Sequence, residues 1–560
     1  MAITRDTAPS AIDTHDVTNQ TPPLEGHDVY GGDAALVEAV RRHGAGAAQD
    51  RLRALGRLAG SGTARTWGFE ANRDLPRLRS HDRYGHRVDE VDFAPAWHEL
   101  MGTAVQYGLQ AAPWTSDEPG AHVARAAGFI VWSQVEAGHG CPISMTYASV
   151  PALRVDPDVA ATWVPGLAST AYDPGLRAPQ HKLGLIAGMA MTEKQGGSDV
   201  RTNSTVAVPQ GDHYLLTGHK WFCSAPMSDV FLVLAQAPDG LTCFVVPRVL
   251  PDGTRNTFRI QRLKDKLGNR SNASSEIEFS GTVATRLGEE GRGVRTIVEM
   301  VSATRLDCVL GSSALMRAAV SEAAWHAAHR TAFGARLADA PLMRAVLADL
   351  ALEVEASIAL GMRLAAAVDD VGRGDEHARL LRRIALPASK YWVTKRGIAV
   401  TAEALECLGG NGYAEESGMP RLYREAPVNS VWEGSGNVNA LDLLRAMTRE
   451  PGTVEALLAE FDAAAGTDAR FDTALARLRV WLAEAAAGDD ASTQAGARRL
   501  AAAIATLLQG SLLLQHGPAA AADAFCATRL AEGGPSALFG ELPAGLDVAT
   551  LIDRATPRPA

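Results

Sequence analysis

Val431-Trp-Glu-Gly-Ser-Gly-Asn437, preceded by Gly409-Gly-Asn-Gly-Tyr413 and Pro420-Arg-Leu-Tyr-Arg424, is the stretch on which the reading of this chain turns. A lone glutamate is ordinarily a solvated surface residue. Glu433 instead follows an indole and precedes three small residues. Burial beside an apolar group such as Trp432 would raise the pKa of a neighbouring carboxyl. A carboxyl so raised is suited to act as a general base.

Three segments upstream also stand out. Met191-Thr-Glu-Lys-Gln-Gly-Gly-Ser-Asp199 contains a Gly pair flanked by hydroxyls, which lets backbone amides and the Thr192 and Ser198 hydroxyls approach a large planar polar ligand. Gly218-His-Lys-Trp-Phe-Cys-Ser224 places two aromatics on a β edge, a pattern that core packing also produces. Arg330-Thr-Ala-Phe-Gly334 carries an arginine at the end of a helical run, where solvation is the ordinary fate of a guanidinium.

Periodicity supplies the frame around them. A polar arm is expected over 1–34, with Pro22-Pro23 and Gly31-Gly32 as breakers. Helical spacing then predicts a helical domain over 35–183. Short β-branched and aromatic runs (His213–Thr217, Val230–Ala235, Leu241–Val246, Ser275–Phe279) predict an antiparallel β domain over 184–290. Leu342, Val346, Leu350, Val354, Ile358 and Met362 recur every fourth residue, which opens a helical bundle over 291–448. A further helical domain follows the Glu450-Pro451-Gly452 break, over 449–560. The fold class is therefore mainly α with a central antiparallel β domain.

Composition narrows the function classes. The 560 residues exceed one hydrophobic core, and 46% apolar with 21% charged residues is ordinary globular usage. A net charge of −10 disfavours nucleic acid or an anionic membrane as the partner of the whole surface. Cys141, Cys223, Cys243, Cys308, Cys407 and Cys526 lie far apart, without metal-ligand spacing, so no metal site is expected and a reducing, cytoplasmic setting is. Neither a signal h-region nor a membrane span is expected. GxGxxG is absent between a strand and a helix, so a dinucleotide must be held by another device than the Rossmann turn.

In order and spacing the four segments resemble the acyl-CoA dehydrogenase superfamily, and most of all its AidB-like branch. Lys194 stands where the common family residue is proline, as in AidB-like members, and Thr14–Pro22, Pro142–Thr146 and Arg262–Ala273 look AidB-like too. The resemblance implies a fold of an N-terminal helical domain, a β-barrel-like middle and a C-terminal four-helix bundle, with an extra helical domain as in AidB. It implies FAD as cofactor, with Met191, Thr192, Gly197 and Ser198 at the flavin or pantetheine arm, and Trp221, Phe222, Cys223 and Ser224 as cofactor wall. Arg330 and Phe333 would serve the FAD pyrophosphate of a neighbouring subunit, although Pro341 replaces the glutamine that usually follows. Gly409 and Gly410 would receive the adenosine half, and Val431, Trp432, Gly434, Ser435, Gly436 and Asn437 would complete the site.

On the same resemblance Glu433 is the base that takes an α-proton from an acyl-CoA while a β-hydride passes to flavin N5. Some relatives carry the base immediately before the arginine that matches Arg305; here that residue is Thr304, which leaves Glu433 without a rival. Arg305 aligns with an arginine near the CoA site, and Asp307 is expected to pair with Arg305 or a ligand. The family is usually tetrameric and passes electrons to oxygen or to an electron-transfer flavoprotein. AidB-like proteins are tied to the DNA alkylation response, and the founding type binds duplex DNA through its C-terminal domain. Residues 446–560 hold nine Arg, no Lys and fourteen Asp plus Glu, and a net −5 opposes phosphate binding there.

Overall fold

The structure is a computed structural model that describes residues 14–531, 536 and 538–558. Residues 1–13 of the expected arm, and 532–535, 537 and 559–560 of the expected C-terminal domain, lie outside the described residues.

Helices run from Ala34 to Ala168, interrupted by a hairpin of strands β1 (Arg77–His81) and β2 (Arg87–Asp92) that the helical reading did not anticipate. β2 is charged on both faces and β1 offers only Leu78 as an apolar residue, so period-2 alternation is faint; Leu78 and Val91 pack against the β-domain core. Asp89 anchors the hairpin by accepting the Ile260 N–H at 2.9 Å.

Seven strands form the middle sheet: β3 (Ala187–Ala190), β4 (Val206–Gln210), β5 (His213–Ser224), β6 (Val230–Ala237), β7 (Gly240–Pro247), β8 (Phe258–Leu263) and β9 (Ser274–Leu287). Six of them run in the order β3-β6-β4-β5-β9-β7, β8 pairs with β9 off this path, and pairing of β6 with β7 closes the ring into a barrel. The sheet is mixed rather than purely antiparallel. β3 and β4 both meet β6 in parallel, because the chain enters through β3 and crosses the β4–β5 hairpin before β6 begins. Alternate residues Phe231, Val233, Phe244, Val246, Ile277 and Phe279 fill the barrel interior.

The bundle comprises Gly293–His329, Pro341–Gly372 and Glu376–Glu406, crossed by Met419–Val431 and Gly436–Arg449. The predicted stripe enters the core at Leu350, Val354, Ile358 and Met362, all at most 3% exposed, whereas Leu342 is 85% exposed on the first turn. Beyond the bundle, helices from Thr453 to Phe525 and Val548–Ala555 pack directly on it, and Arg529 buries ion pairs with Asp349 and Glu353 of the Pro341–Gly372 helix. Asp490–His516 has the length and hydropathy of a membrane span, yet 72% of its apolar window is buried inside the protein, against the Glu376–Glu406 and Gly436–Arg449 helices among others. A core helix accounts for it.

Candidate active site

Glu433 occupies a left-handed conformation, φ +57°, followed by Gly434 at φ +97°. For a residue bearing Cβ this costs roughly 1–2 kcal/mol and persists only where the surroundings enforce it. Two buried cations do so. Lys390, 1% exposed, donates from Nζ to the carbonyls of Trp432 at 2.7 Å and Gly434 at 2.6 Å. Arg305 Nε donates to the Glu433 carbonyl at 3.0 Å, and its Nη1 is paired with Asp442. Asn439 Nδ2 adds bonds to the carbonyls of Gly434 and Ser435. The corner thus spends its carbonyls on fixed donors while the carboxyl stays free to act.

Glu433 Oε2 is buried and has no hydrogen-bond partner, and the same holds for the adjacent Trp432 Nε1. Burial pushes the Glu433 carboxyl above the ordinary range, opposed by the nearby Thr304 hydroxyl and the Lys390 and Arg305 charges. A buried acceptor and a buried donor without partners, on consecutive residues, are groups that a ligand with polar edges would satisfy.

The β domain contributes residues to the same neighbourhood. Met191 and Trp432 pack against one hydrophobic cluster. Cys141, near the start of the Gly140–Leu153 helix, links the two sides: its thiol, pushed up to about 11 by burial, feels the Glu433 and Lys266 charges and lies beside the Ser224 hydroxyl. The Thr192 carbonyl accepts the Trp221 N–H at 2.8 Å, which ties the Gly-containing turn to β5. Any side chain at Gly197 would strike the Thr192 hydroxyl at 2.7 Å, so glycine is what lets the turn fold back over that residue. Gly197 and Ser198 themselves are exposed on its outer edge.

β5 does not present its four candidate residues as one wall. A bulge between Lys220 and Cys223 turns Trp221 and Phe222 outward and sends the Cys223 side chain into the barrel, 0% exposed. Cys223 therefore offers main chain alone. Trp221 is capped by Lys264, whose Nζ stands 3.3 Å from the indole centroid and 4.7 Å from that of Phe222, which is 53% exposed.

The expected pairing of Asp307 with Arg305 or a ligand is corrected. Positions two apart on a helix point to different faces. Asp307 instead makes a buried, two-pronged pair with Arg125, 2.8 Å at Nη2–Oδ2, while Arg305 holds the Glu433 corner. Arg305 is a positioning residue rather than a visible ligand contact.

Arg330 and Phe333 stand apart from this recess. They cap the helix that carries Arg305, about 37 Å further along its axis at 1.5 Å per residue. Likewise Gly409 and Gly410 lie beyond the end of the Lys390 helix, about 29 Å on. The two helices run in parallel, since Gly397 faces Ser312 and Met316 just as Lys390 and Arg305 flank one corner, so both pairs gather at one far end. Phe333, at φ +53° on a two-residue hairpin turn, is fully exposed. Arg330 donates to the Asn19 carbonyl of the arm. Val431 and Ser435 are exposed, Gly436 is buried, and Asn437 accepts Arg498 Nε of the C-terminal helices at 2.8 Å.

Lys390, Asp442, Cys141 and Lys266 were not read from the sequence. A lone Lys or Asp on a helix reads as solvated, and no local spacing announces a partner about forty residues away. Among the described residues no group of His, Cys, Asp and Glu forms a metal site.

Comparison with known proteins completes the picture. The chain matches the family described as the adaptive response protein AidB N-terminal domain over residues 19–174. The acyl-CoA dehydrogenase middle domain follows over 188–282 and its C-terminal domain over 291–448. It is 46% identical to the putative acyl-CoA dehydrogenase AidB of Escherichia coli K12, across 83% of this chain and 86% of that one. Acyl-CoA dehydrogenase family member 11 of Caenorhabditis elegans is 29% identical over 80% of this chain and 77% of its own. The solved structure of C. elegans ACDH-11 in complex with C11-CoA superposes with a TM-score of 0.85 at 27% identity, covering 94% of this chain and 93% of that one. The chain belongs to the acyl-CoA dehydrogenase family of FAD-dependent oxidoreductases, in its AidB branch.

Proposed function

We propose that this protein oxidises an acyl thioester to its enoyl form, with Glu433 as the base that removes the α-proton. The observation that carries the reading is the unpartnered, buried Oε2 of Glu433 on a corner clamped by Lys390 and Arg305. The residues present fit FAD: an orphan donor at Trp432, the folded-back turn at Gly197 and the Ser224 hydroxyl offer polar edges, and Met191 and Trp432 an apolar surface, for a tricyclic ring. When bound, FAD supplies the acceptor for the hydride that leaves the β-carbon.

The chain's own groups do the rest. Burial beside Trp432 weakens Glu433 as an acid, which makes its carboxylate a stronger base. Clamping of the main chain leaves the carboxyl as the part able to move a proton at Oε2. Met191 and Trp432, half-buried on one cluster, supply apolar surface on which the acyl group or the flavin would rest. Arg330, Phe333, Gly409 and Gly410, gathered at the far end of the bundle, are assigned to a cleft completed by another copy of the chain, in a tetramer as the family resemblance implies. We assign the protein to the cytoplasm, in keeping with six buried free thiols.

Purified protein loaded with FAD is titrated anaerobically with a panel of acyl-CoAs while the flavin absorbance is followed. Bleaching by one of them, abolished in a Glu433→Gln variant that retains FAD, is the expected result. A variant reduced at the parent's rate removes Glu433 from the mechanism. The DNA-binding reading has no support in the allocation of charge, since Arg470, Arg479, Arg529, Arg554 and Arg558 are all paired with carboxylates.

A further inference from the structure

The loop 264–273 carries a lysine to the flavin side of the recess. Lys266 Nζ donates to the Asn272 carbonyl at 2.7 Å and to Ser274 Oγ at 2.9 Å. Ser274 is the register partner of Ser224 across β9 and β5, and their hydroxyl oxygens are 3.1 Å apart. Ser224 in turn lies beside the Cys141 thiol, which also feels Glu433. A chain of polar groups therefore runs from an ammonium to the wall that faces the base.

The direction of that chain follows from proton accounting. An ammonium has three donors and no acceptor, so Ser274 Oγ must accept from Lys266. The Ser274 proton then needs an acceptor of its own, and among the described contacts the one within reach is Ser224 Oγ. Having accepted, Ser224 keeps its own proton for a further acceptor, either the neighbouring Cys141 sulfur or a ligand.

The loop itself is held firmly. Ser271 donates to Glu136 at 2.7 Å, and Gly268 sits so close to the main chain of Arg424 that a side chain there would meet its carbonyl at 2.1 Å. Burial draws Lys266 down to about 8, with the charges of Glu425 and Glu136 opposing the shift, so the ammonium form dominates at neutral pH.

We propose that Lys266 is a positioning residue for the cofactor: through Ser274 it fixes Ser224 as a hydrogen-bond donor to the flavin and so raises the flavin's reduction potential. The proposal rests on Ser224 facing the flavin, as in the preceding section. Reduction adds electron density to the polar edge of the ring, and a preorganised donor stabilises the reduced form more than the oxidised one.

The test is reduction of the FAD-loaded protein against a reference dye, with parent, Lys266→Met, Ser274→Ala and Lys266→Arg compared. At a fixed dye potential the reduced-to-oxidised ratio is expected to fall about tenfold in Lys266→Met and Ser274→Ala, which for a two-electron couple is about 30 mV. Lys266→Arg, which keeps a cationic donor, should stay near the parent. Loaded variants within threefold of the parent overturn the proposal, as does a shift in Lys266→Met without one in Ser274→Ala, which would mean plain charge and no relay. Should Lys266→Met lose FAD, Ser274→Ala decides alone, since it breaks the relay and leaves the charge in place. A parent protein that takes up no FAD would fail the underlying reading instead, and flavin content measured first separates the two.

Discussion

Arg305 holds Glu433 by the main chain and not by the carboxyl: Nε donates to the Glu433 carbonyl at 3.0 Å, while the other end of the guanidinium is paired with Asp442. A carboxylate locked in an ion pair would be a poor base, because its proton affinity would fall. Directing the cation to the adjacent carbonyl fixes the base in space and spares its basicity, apart from a through-space effect that burial outweighs.

Replacing Arg305 by lysine tests this division. A point charge on a flexible stem cannot serve the carbonyl and Asp442 in the same fixed geometry as a planar fork. Flavin reduction in Arg305→Lys is expected to slow by about 10²-fold, the scale of a 1 Å misplacement, with KM changed far less. Flavin content should match the parent. A KM effect without a kcat effect would return Arg305 to ligand binding.

The pH profile of flavin reduction should carry the same signature. Only the carboxylate form of Glu433 accepts a proton, and its ionisation is raised by burial. The rate is therefore expected to rise with pH through a midpoint above the usual carboxylate range of about 4.3. Stopped-flow reduction from pH 4 to 9 measures it, and a profile with no rise anywhere above the ordinary carboxylate range would count against Glu433 as base.

How much of this was open to sequence reading depends on how local the signal is. Glu433 was legible because the order and spacing of its motif carry the family resemblance, whereas the corner at φ +57° was not read from the sequence. Lys390 was not, since its burial is created by carbonyls of residues 432 and 434, contributed by a later turn. Asp307 could have been withheld from Arg305 on helix geometry alone, but Arg125, in a helix 182 positions away, has no spacing rule to reveal it. The outward turn of Trp221 and the inward turn of Cys223 depend on a bulge set by register with β9, a non-local fact. The β1–β2 hairpin escaped for another reason: its strands offer few apolar residues, β2 is charged on both faces, and its partner in packing is a domain a hundred residues on.

Glu425 offers a stability test away from the flavin. Burial and the charge of Glu136 push its carboxyl up to about 7, against a model-peptide value of 4.5. The folded state thus holds a proton that the unfolded chain releases above about pH 4.5. Its stabilising contribution is complete below that pH and is lost as pH rises through 7, by roughly 3 kcal/mol for a shift of this size. Glu425→Gln, which cannot ionise, is expected to melt close to the parent at pH 5 and above it at pH 8. Equal melting temperatures at both pH values would show that Glu425 is not held protonated.

Phe333 predicts association. A fully exposed phenyl ring on a strained hairpin tip gains nothing in water, and covering it recovers about 2 kcal/mol of transfer free energy per copy. Phe333→Asp is expected to lower the mass seen by sedimentation at micromolar concentration and to loosen FAD, because the Arg330 and Gly409 end of the bundle loses its neighbour. An unchanged mass with full flavin would place the interface elsewhere.

The acidic C-terminal helices lead to the last expectation. Non-specific affinity for duplex DNA comes from neutralised phosphates and falls steeply with salt. Residues 446–560 carry nine arginines against fourteen carboxylates. Of these arginines, Arg470 is shared between Asp468 and Asp523, Arg479 pairs with Asp462, Arg529 with Asp349 and Glu353, Arg554 with Glu38 and Glu355, and Arg558 with Asp553. Arg477 and Arg499 lie over the Trp481 ring, and Arg498 bonds Asn437. Releasing any of them to a phosphate would strand a carboxylate or an aromatic face, so the net gain per contact is small. Fluorescence anisotropy with a labelled duplex at 50 mM salt is expected to show no saturable binding at micromolar protein. Tight binding whose logarithm falls linearly with the logarithm of salt would mean that another face of the molecule gathers cations, and the patch of Lys194, Arg262 and Lys264 around Trp221 would be the first place to mutate.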